Sequence, residues 1–334
     1  MATTATLPGG GSKNNVTITI GADASTALQT AINSLFKAAG KNITADTVAS
    51  GVNGSAGFFN YIPDTVASGK ASSLKAGTNV QAIIDTGKLA DTLTGSASTT
   101  LFVANNAGDV INTATSSTVF GGTGADTVNA SGVTTVYLEG GKNVVNLAGG
   151  DTVNLSGTGG SDTVNITAGT NVVNGSYAAT VSVTGSSSND TLNLAAKSTV
   201  GITGVKDNVS VAGNTQSITL SGAADTVRTS GTGNTITIAA GSGDSVSTGT
   251  AAATVAVNAG NTVDTLNLGA KSTISVTGTK DNVSVAGASQ TITLSGAGDT
   301  LSTSGTGNTI TIAAGSGDSV STGTAAATVA VNAG

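Results

Sequence analysis

Short alternating strands that recur about once every 18 residues predict an all-β chain. It is wound as a parallel β-solenoid of 17–20 residues per turn, with a short N-terminal strand-helix cap. Three observations carry this. The chain copies itself: residues 190–260 return at 264–334, a register of 74, with eleven differences in seventy-one positions. Inside each copy Asp190, Asp207, Asp225, Asp244 and Asp264 are spaced 17, 18, 19 and 20 residues apart, and each opens a phrase of the type DTLNL, DNVSV or DTVRT. About nine residues after each comes a second alternating run such as STVGIT, QSITLS or NTITIA. The third observation is what the chain lacks. Aromatic residues are 2% of it and none lies beyond Tyr177, too little bulk for globular cores, whereas a coil needs only a thin stack of Val, Ile, Leu and Ala shared between turns.

Residues 1–42 form an N-terminal segment. KNNVTITI at 13–20 alternates as a strand, and Asp23 or Ser25 is placed to cap a helix through Ala39, with Leu28, Ile32, Leu35 and Phe36 on one face and Gly40 as its stop. Such a helix would plug the open end of the coil, where unpaired backbone groups invite association, or serve as a docking module. Residues 43–90 carry the phrase in rough form, ADTVASG at 45–51 and PDTVASG at 63–69, with Phe58, Phe59 and Tyr61 between them. They read as irregular first turns or as a small cap domain.

From 91 to 189 the phrase is regular. Asp91, Asp109, Asp126 and Asn143 follow at 18, 17 and 17, and Asn112, Asn129 and Asn146 keep the same register three places on, the spacing of an asparagine ladder. Between Asn143 and Asn174 the phrase quickens to spacings of 8, 11 and 9, as though both strands of a turn carry it. Residues 190–334 are the two tandem copies. In these strands Leu192, Leu194, Val200 and Ile202 should face inward, and Thr191, Asn193 and Thr203 outward. The copy pattern would resume at Gly334, so the sequence is expected to be part of a longer array.

Composition excludes several classes of function. There is no cysteine for disulfide or thiol chemistry and no histidine to act as base or metal ligand. A net charge of −6, with twelve Lys and Arg scattered singly, does not suit nucleic acid, which needs clustered cations. No apolar run reaches the length of a membrane span, and residues 1–12 have no secretory-peptide pattern. Clustered acids with aromatic platforms, which carbohydrate-active solenoids use, are absent after Tyr177, so no enzymatic activity is expected.

One segment carries chemistry by its pattern. Gly121–Asn129 reads GGTGADTVN and satisfies G-G-x-G-x-D-x-U-x at every fixed position, with Gly121, Gly122, Gly124 and Asp126 the key residues; GTGGSDTVN at 157–165, which holds Asp162, matches less fully. The pattern resembles the nonapeptide of repeats-in-toxin (RTX) proteins. That resemblance implies Ca²⁺ held between loops one turn apart, with Asp109 on the neighbouring turn as a further ligand, since hard oxygens suit this ion. It also implies a bacterial extracellular protein of the surface-layer, adhesin or filament type, exported by a type I route and acting by self-association into a filament or lattice, with cell-surface polysaccharide a further partner. The Asp residues themselves admit two readings. Stacked at about 4.8 Å, like charges repel by about 1 kcal/mol per pair even in water, so either each caps turn amides under solvent screening, with Lys197, Lys206, Lys271 and Lys280 nearby, or Ca²⁺ lies between turns. The outward Thr-x-Thr pairs, such as Thr291 with Thr293 and Thr309 with Thr311, resemble ice-binding solenoids, so that ice binding stands beside the structural filament and the stalk of a large adhesin as a third functional class.

Overall fold

The computed structural model describes residues 3–7, 16–20, 30, 43–45, 53, 59–64, 71–85, 87–157, 161–186, 188–258, 263–313 and 317–332. The chain is a parallel β-solenoid of about 13 turns and about 19 residues per turn. Each turn contributes two strands, one to each of two sheets. The contacts divide into two units, one of Met1–Asn165 with Gly169–Tyr177, the other of Ile166–Ala168 with Ala178–Gly334.

In the first unit Thr3–Leu7 and Val16–Ile20 pair as an antiparallel hairpin. The sequence reading anticipated its second strand and missed its first. The helix expected between Asp23 and Ala39 lies, Thr30 apart, outside the described residues. Parallel pairing begins at Ile43–Ala45 and passes through Phe59–Asp64, Val80–Asp85, Leu101–Val103, Thr118–Phe120 and Thr135–Glu139. The second sheet of this unit runs from Ser73–Lys75 through Thr92–Thr94, Val110–Asn112 and Thr127–Asn129 to Val144–Leu147. Bulky side chains enter the core here: Phe102 and Phe120 are fully buried, and Phe120 stacks on Tyr137 with ring centroids 5.0 Å apart. Gly95 makes room for the Phe102 ring, which a Cβ would strike.

The second unit is leaner. One sheet runs through nine strands from Ala179–Val183 to Ala327–Val331 without a slip of register, and its inner column reads Val181, Val200, Ile218, Ile236, Val255, Ile274, Ile292, Ile310 and Val329. β-branched residues fit this pleated surface, and each fully buried one stabilises by about 1.5–3 kcal/mol. Leu192, Leu194, Val200 and Ile202 are buried while Thr191, Asn193 and Thr203 are exposed, as the alternation required. Between strands the backbone turns through left-handed residues, some glycine and some not: Lys206 and Ala224 stand at φ 60° and 61°, Gly243 at 81°.

On the other sheet of this unit the ladder makes one step. Asn189 pairs with Asn208 and Ser245 with Thr265, but it is Val263, not Thr265, that stands where Asn189 stood, opposite Asn282. The column therefore shifts by two residues at the join between copies. A shift of two preserves inside and outside, where a shift of one would invert them.

Candidate functional site

The residues that recur with the turn are the aspartates, and the fold places them where a strand begins. Asp91, Asp109 and Asp126 each precede a strand of the first unit's second sheet, and Asp162 opens the strand Asp162–Ile166. Their own N–H groups lie just outside the ladder and need another acceptor. The next turn's side chain supplies it: Asp109 N–H donates to Asp126 Oδ1 at 2.8 Å, Asp126 N–H to Asn143 Oδ1 at 2.8 Å, and Asn143 N–H to Asp162 Oδ1 at 2.8 Å. The structure thus brings Asp109, Asp126 and Asp162 into one column, with Asn143 completing it. Tyr177 closes the run by donating its hydroxyl to Asp162 Oδ2.

The same bond recurs elsewhere, including at the residues of the quickened phrase. Thr134 N–H donates to Asp151 Oδ1 at 2.7 Å and Asp151 N–H to Asn171 Oδ1 at 3.0 Å, on the other sheet of the first unit. The quickened phrase at 143–174 arises because both strands of these turns carry a cap. In the second unit Asp207, Asp225, Asp244 and Asp264 form a column, each accepting the N–H one turn back at 2.9, 2.9, 2.9 and 3.1 Å for Ser188, Asp207, Asp225 and Asp244.

Two expectations about this column require correction. Asp190 is not in line with Asp207: it stands opposite Val209, inside its strand, and Ser188 occupies the capping position and donates both N–H and Oγ–H to Asp207. The strand register here is 19 residues while the Asp spacing is 17, so the two-residue step displaces Asp190. The carboxylates are also not solvent-screened. Asp126, Asp207, Asp225, Asp244 and Asp299 are all buried to 1% exposure or less.

Burial sets the acidity of Asp126, Asp225 and Asp244. Desolvation pushes Asp126 up to about 7, with the like charges of Asp109 and Asp162 adding to it against the stabilising Asp109 N–H. Asp244 is pushed up to about 6 by the same cause, with Asp264 and Asp225 adding. Asp225 is raised as well, by desolvation and then by Asp207.

The loop at Gly121, Gly122, Gly124 and Asp126 is stacked closely on its neighbouring turns. Here a Cβ on Gly122 would collide with the Asn105 carbonyl, and one on Gly141 with the Gly124 carbonyl. The glycines lie directly against these carbonyls. Asp126 Oδ1 is engaged by Asp109 N–H, and Oδ2 sits inside, over Gly121. Among the described residues no group of three or more Asp, Glu, His or Cys side chains is placed to hold a metal. What the glycines provide is close stacking of turn on turn.

Two outer features complete the surface. Asn129 Nδ2 donates to Asn112 Oδ1 at 2.7 Å, Asn146 to Asn129 at 2.7 Å and Asn165 to Asn146 at 2.8 Å, which is the ladder the spacing predicted, one rung longer. In the second unit the nine-strand sheet turns outward one uninterrupted hydroxyl column, Thr180, Thr199, Ser217, Thr235, Thr254, Thr273, Thr291, Thr309 and Thr328, every one exposed. The opposite sheet of the same unit carries Asn189, Asn208, Arg228 and Asn267 among its outward residues. Strand preference alone would have favoured threonine on both.

These features define a class, the parallel β-solenoid repeat protein with capped turns. Residues 268–324, in the second copy, match a family described as a protein of unknown function (DUF3060). No curated protein and no solved structure matches the chain. Among the described residues no helix is long and apolar enough to cross a membrane.

Proposed function

We propose that this chain is a structural protein of the bacterial cell exterior, a repeat scaffold that self-associates into a surface layer, filament or biofilm matrix. The observation that carries the reading is the join between the two copies. There the last strands of one copy, Ser245–Ser247 and Ala253–Val257, receive the first strands of the next through the same ladder that binds turns within a copy. An edge of this kind accepts any strand of like register, from the same chain or a second one. The resemblance of Gly121–Asn129 to RTX repeats supports the extracellular setting and the type I export route; calcium is not required by this reading.

Negative-stain electron microscopy and light scattering of the purified chain across a concentration series, with a calcium chelator and with added Ca²⁺, test it. Ordered fibres or lattices are the expected outcome in both buffers. Monodisperse monomers throughout would overturn it.

A second reading, an ice-binding face, is favoured by the nine exposed hydroxyls in unbroken register. Strand spacing of about 4.8 Å sets these hydroxyls in a row, and Thr219, Thr237, Thr293 and Thr311 add a second hydroxyl about 6.7 Å along their strands, a column interrupted at Gly201, Ala256 and Ala330. Thermal hysteresis at micromolar protein, lost in Thr235→Lys, is what this reading expects, and freezing indistinguishable from buffer removes it.

A further inference from the structure

Five non-acidic residues at the capping position each make two hydrogen bonds there. Asn143, Asn234 and Asn308 accept an N–H from the preceding turn with Oδ1, and donate Nδ2–H to the carbonyl three residues earlier, of Gly140, Gly231 and Gly305. Ser198 and Ser272 do both with one hydroxyl, accepting from Ala179 and Ala253 and donating to Ala195 and Gly269. All five are at once acceptor and donor. An ionised carboxylate can only accept. Asp126, Asp225 and Asp244 nonetheless fill this position, with Oδ1 bonded and Oδ2 buried without a hydrogen-bond partner. A glycine at 121 and at 222 leaves the space that the second oxygen of Asp126 and of Asp225 occupies.

We propose that Asp126, Asp225 and Asp244 are held in the folded chain as neutral carboxylic acids, with the proton on the buried Oδ2, and that the solenoid thereby takes up protons as it folds. A buried oxygen with neither proton nor partner is costly, and a buried unpaired charge more costly still. The ionisable groups that bear on these three through space are other carboxyls: Asp109 and Asp162 on Asp126, Asp207 on Asp225, Asp225 and Asp264 on Asp244. The nearest cation in sequence to Asp225 and Asp244, Arg228, donates to Asn208 instead, and Lys206, one turn back from Asp225, holds its side chain exposed in a left-handed turn. Neutral neighbours remove the mutual repulsion of the column. Since the folded carboxyls bind protons more tightly than the ordinary 3.8, their contribution is complete below pH about 4. It is lost as pH rises through about 6 for Asp244 and about 7 for Asp126. The array is a scaffold that tightens in acid and loosens as its surroundings turn alkaline.

Urea unfolding of the full chain at pH 4.5, 6 and 8 tests this, beside Asp225→Asn, Asp244→Asn and the double variant. The midpoint of the parent chain should fall from pH 4.5 to 8. The double variant should lose much of that fall and unfold at higher urea than the parent at pH 8, because asparagine brings the donor without the charge. A midpoint that rises with pH, or asparagine variants weakened equally at both ends of the range, would overturn the proposal. Should a variant not fold, carbon-13 titration of the aspartate carboxyls in the parent chain decides: some carboxyls still protonated above pH 5.5 support it, and all of them titrating near 4 refute it.

Discussion

At the scale of single residues the two copies serve as each other's control. Ala224 and Gly298 occupy the same turn, both with positive φ, 61° and 76°. A left-handed backbone costs an L-residue roughly 1–2 kcal/mol, partly offset by the greater freedom that glycine loses on folding. A Cβ at Gly298 would meet only the Lys280 side chain at ordinary contact distance, so strain rather than collision decides. Ala224→Gly is expected to stabilise the chain by about 0.5 kcal/mol and Gly298→Ala to destabilise it by a similar amount, read from chemical denaturation. Other differences follow the same logic. Gly201 has open space around it, and its counterpart Ser275 fills that space at no cost. Val200 with Ile202 becomes Ile274 with Val276, so a methylene removed from one inner column is returned to its neighbour in the same strand, a volume-conserving exchange of the kind cores tolerate.

At the scale of strands and turns, most of what the fold needed was legible. Alternation identified the inner face of every strand checked from Leu192 to Ile202, because a strand with one dry side writes its period directly into the residues. The asparagine ladder was legible too, since a side chain that bonds its own image one turn away must recur at the turn length. The depth of the aspartates was not. A carboxylate at a strand entrance reads as solvated, and its burial depends on a hydrogen bond from a different turn and on a glycine beneath, neither of which alternation encodes. Nor was the place of Asp190: spacing counts residues along the chain, while alignment across the sheet depends on how many of them each turn absorbs. The glycines of Gly121, Gly122 and Gly124 were read as ion-facing because their pattern allows either use. Contact with Asn105 and its neighbours, visible only once the turns are stacked, is a close approach that a Cβ would prevent.

At the scale of the molecule, the duplication and the winding coincide. The shift of 74 residues between copies contains four turns, and the nine-strand sheet returns after it to an equivalent position, Thr180 to Thr254 and Thr254 to Thr328. The opposite sheet returns displaced by two residues, with its faces unchanged. Length can therefore be edited in whole multiples of this block. A chain from which residues 190–263 are excised joins Asn189 to Asp264, a junction into the same DTLNL phrase that Asn189 already precedes. It should keep the circular-dichroism spectrum of the parent per residue and its melting behaviour within a few degrees, whereas excision of 70 residues, out of step with the winding, should aggregate or unfold. Growth or shortening of the gene by recombination between the near-identical halves would then yield foldable proteins of graded size, with no packing problem to solve afresh.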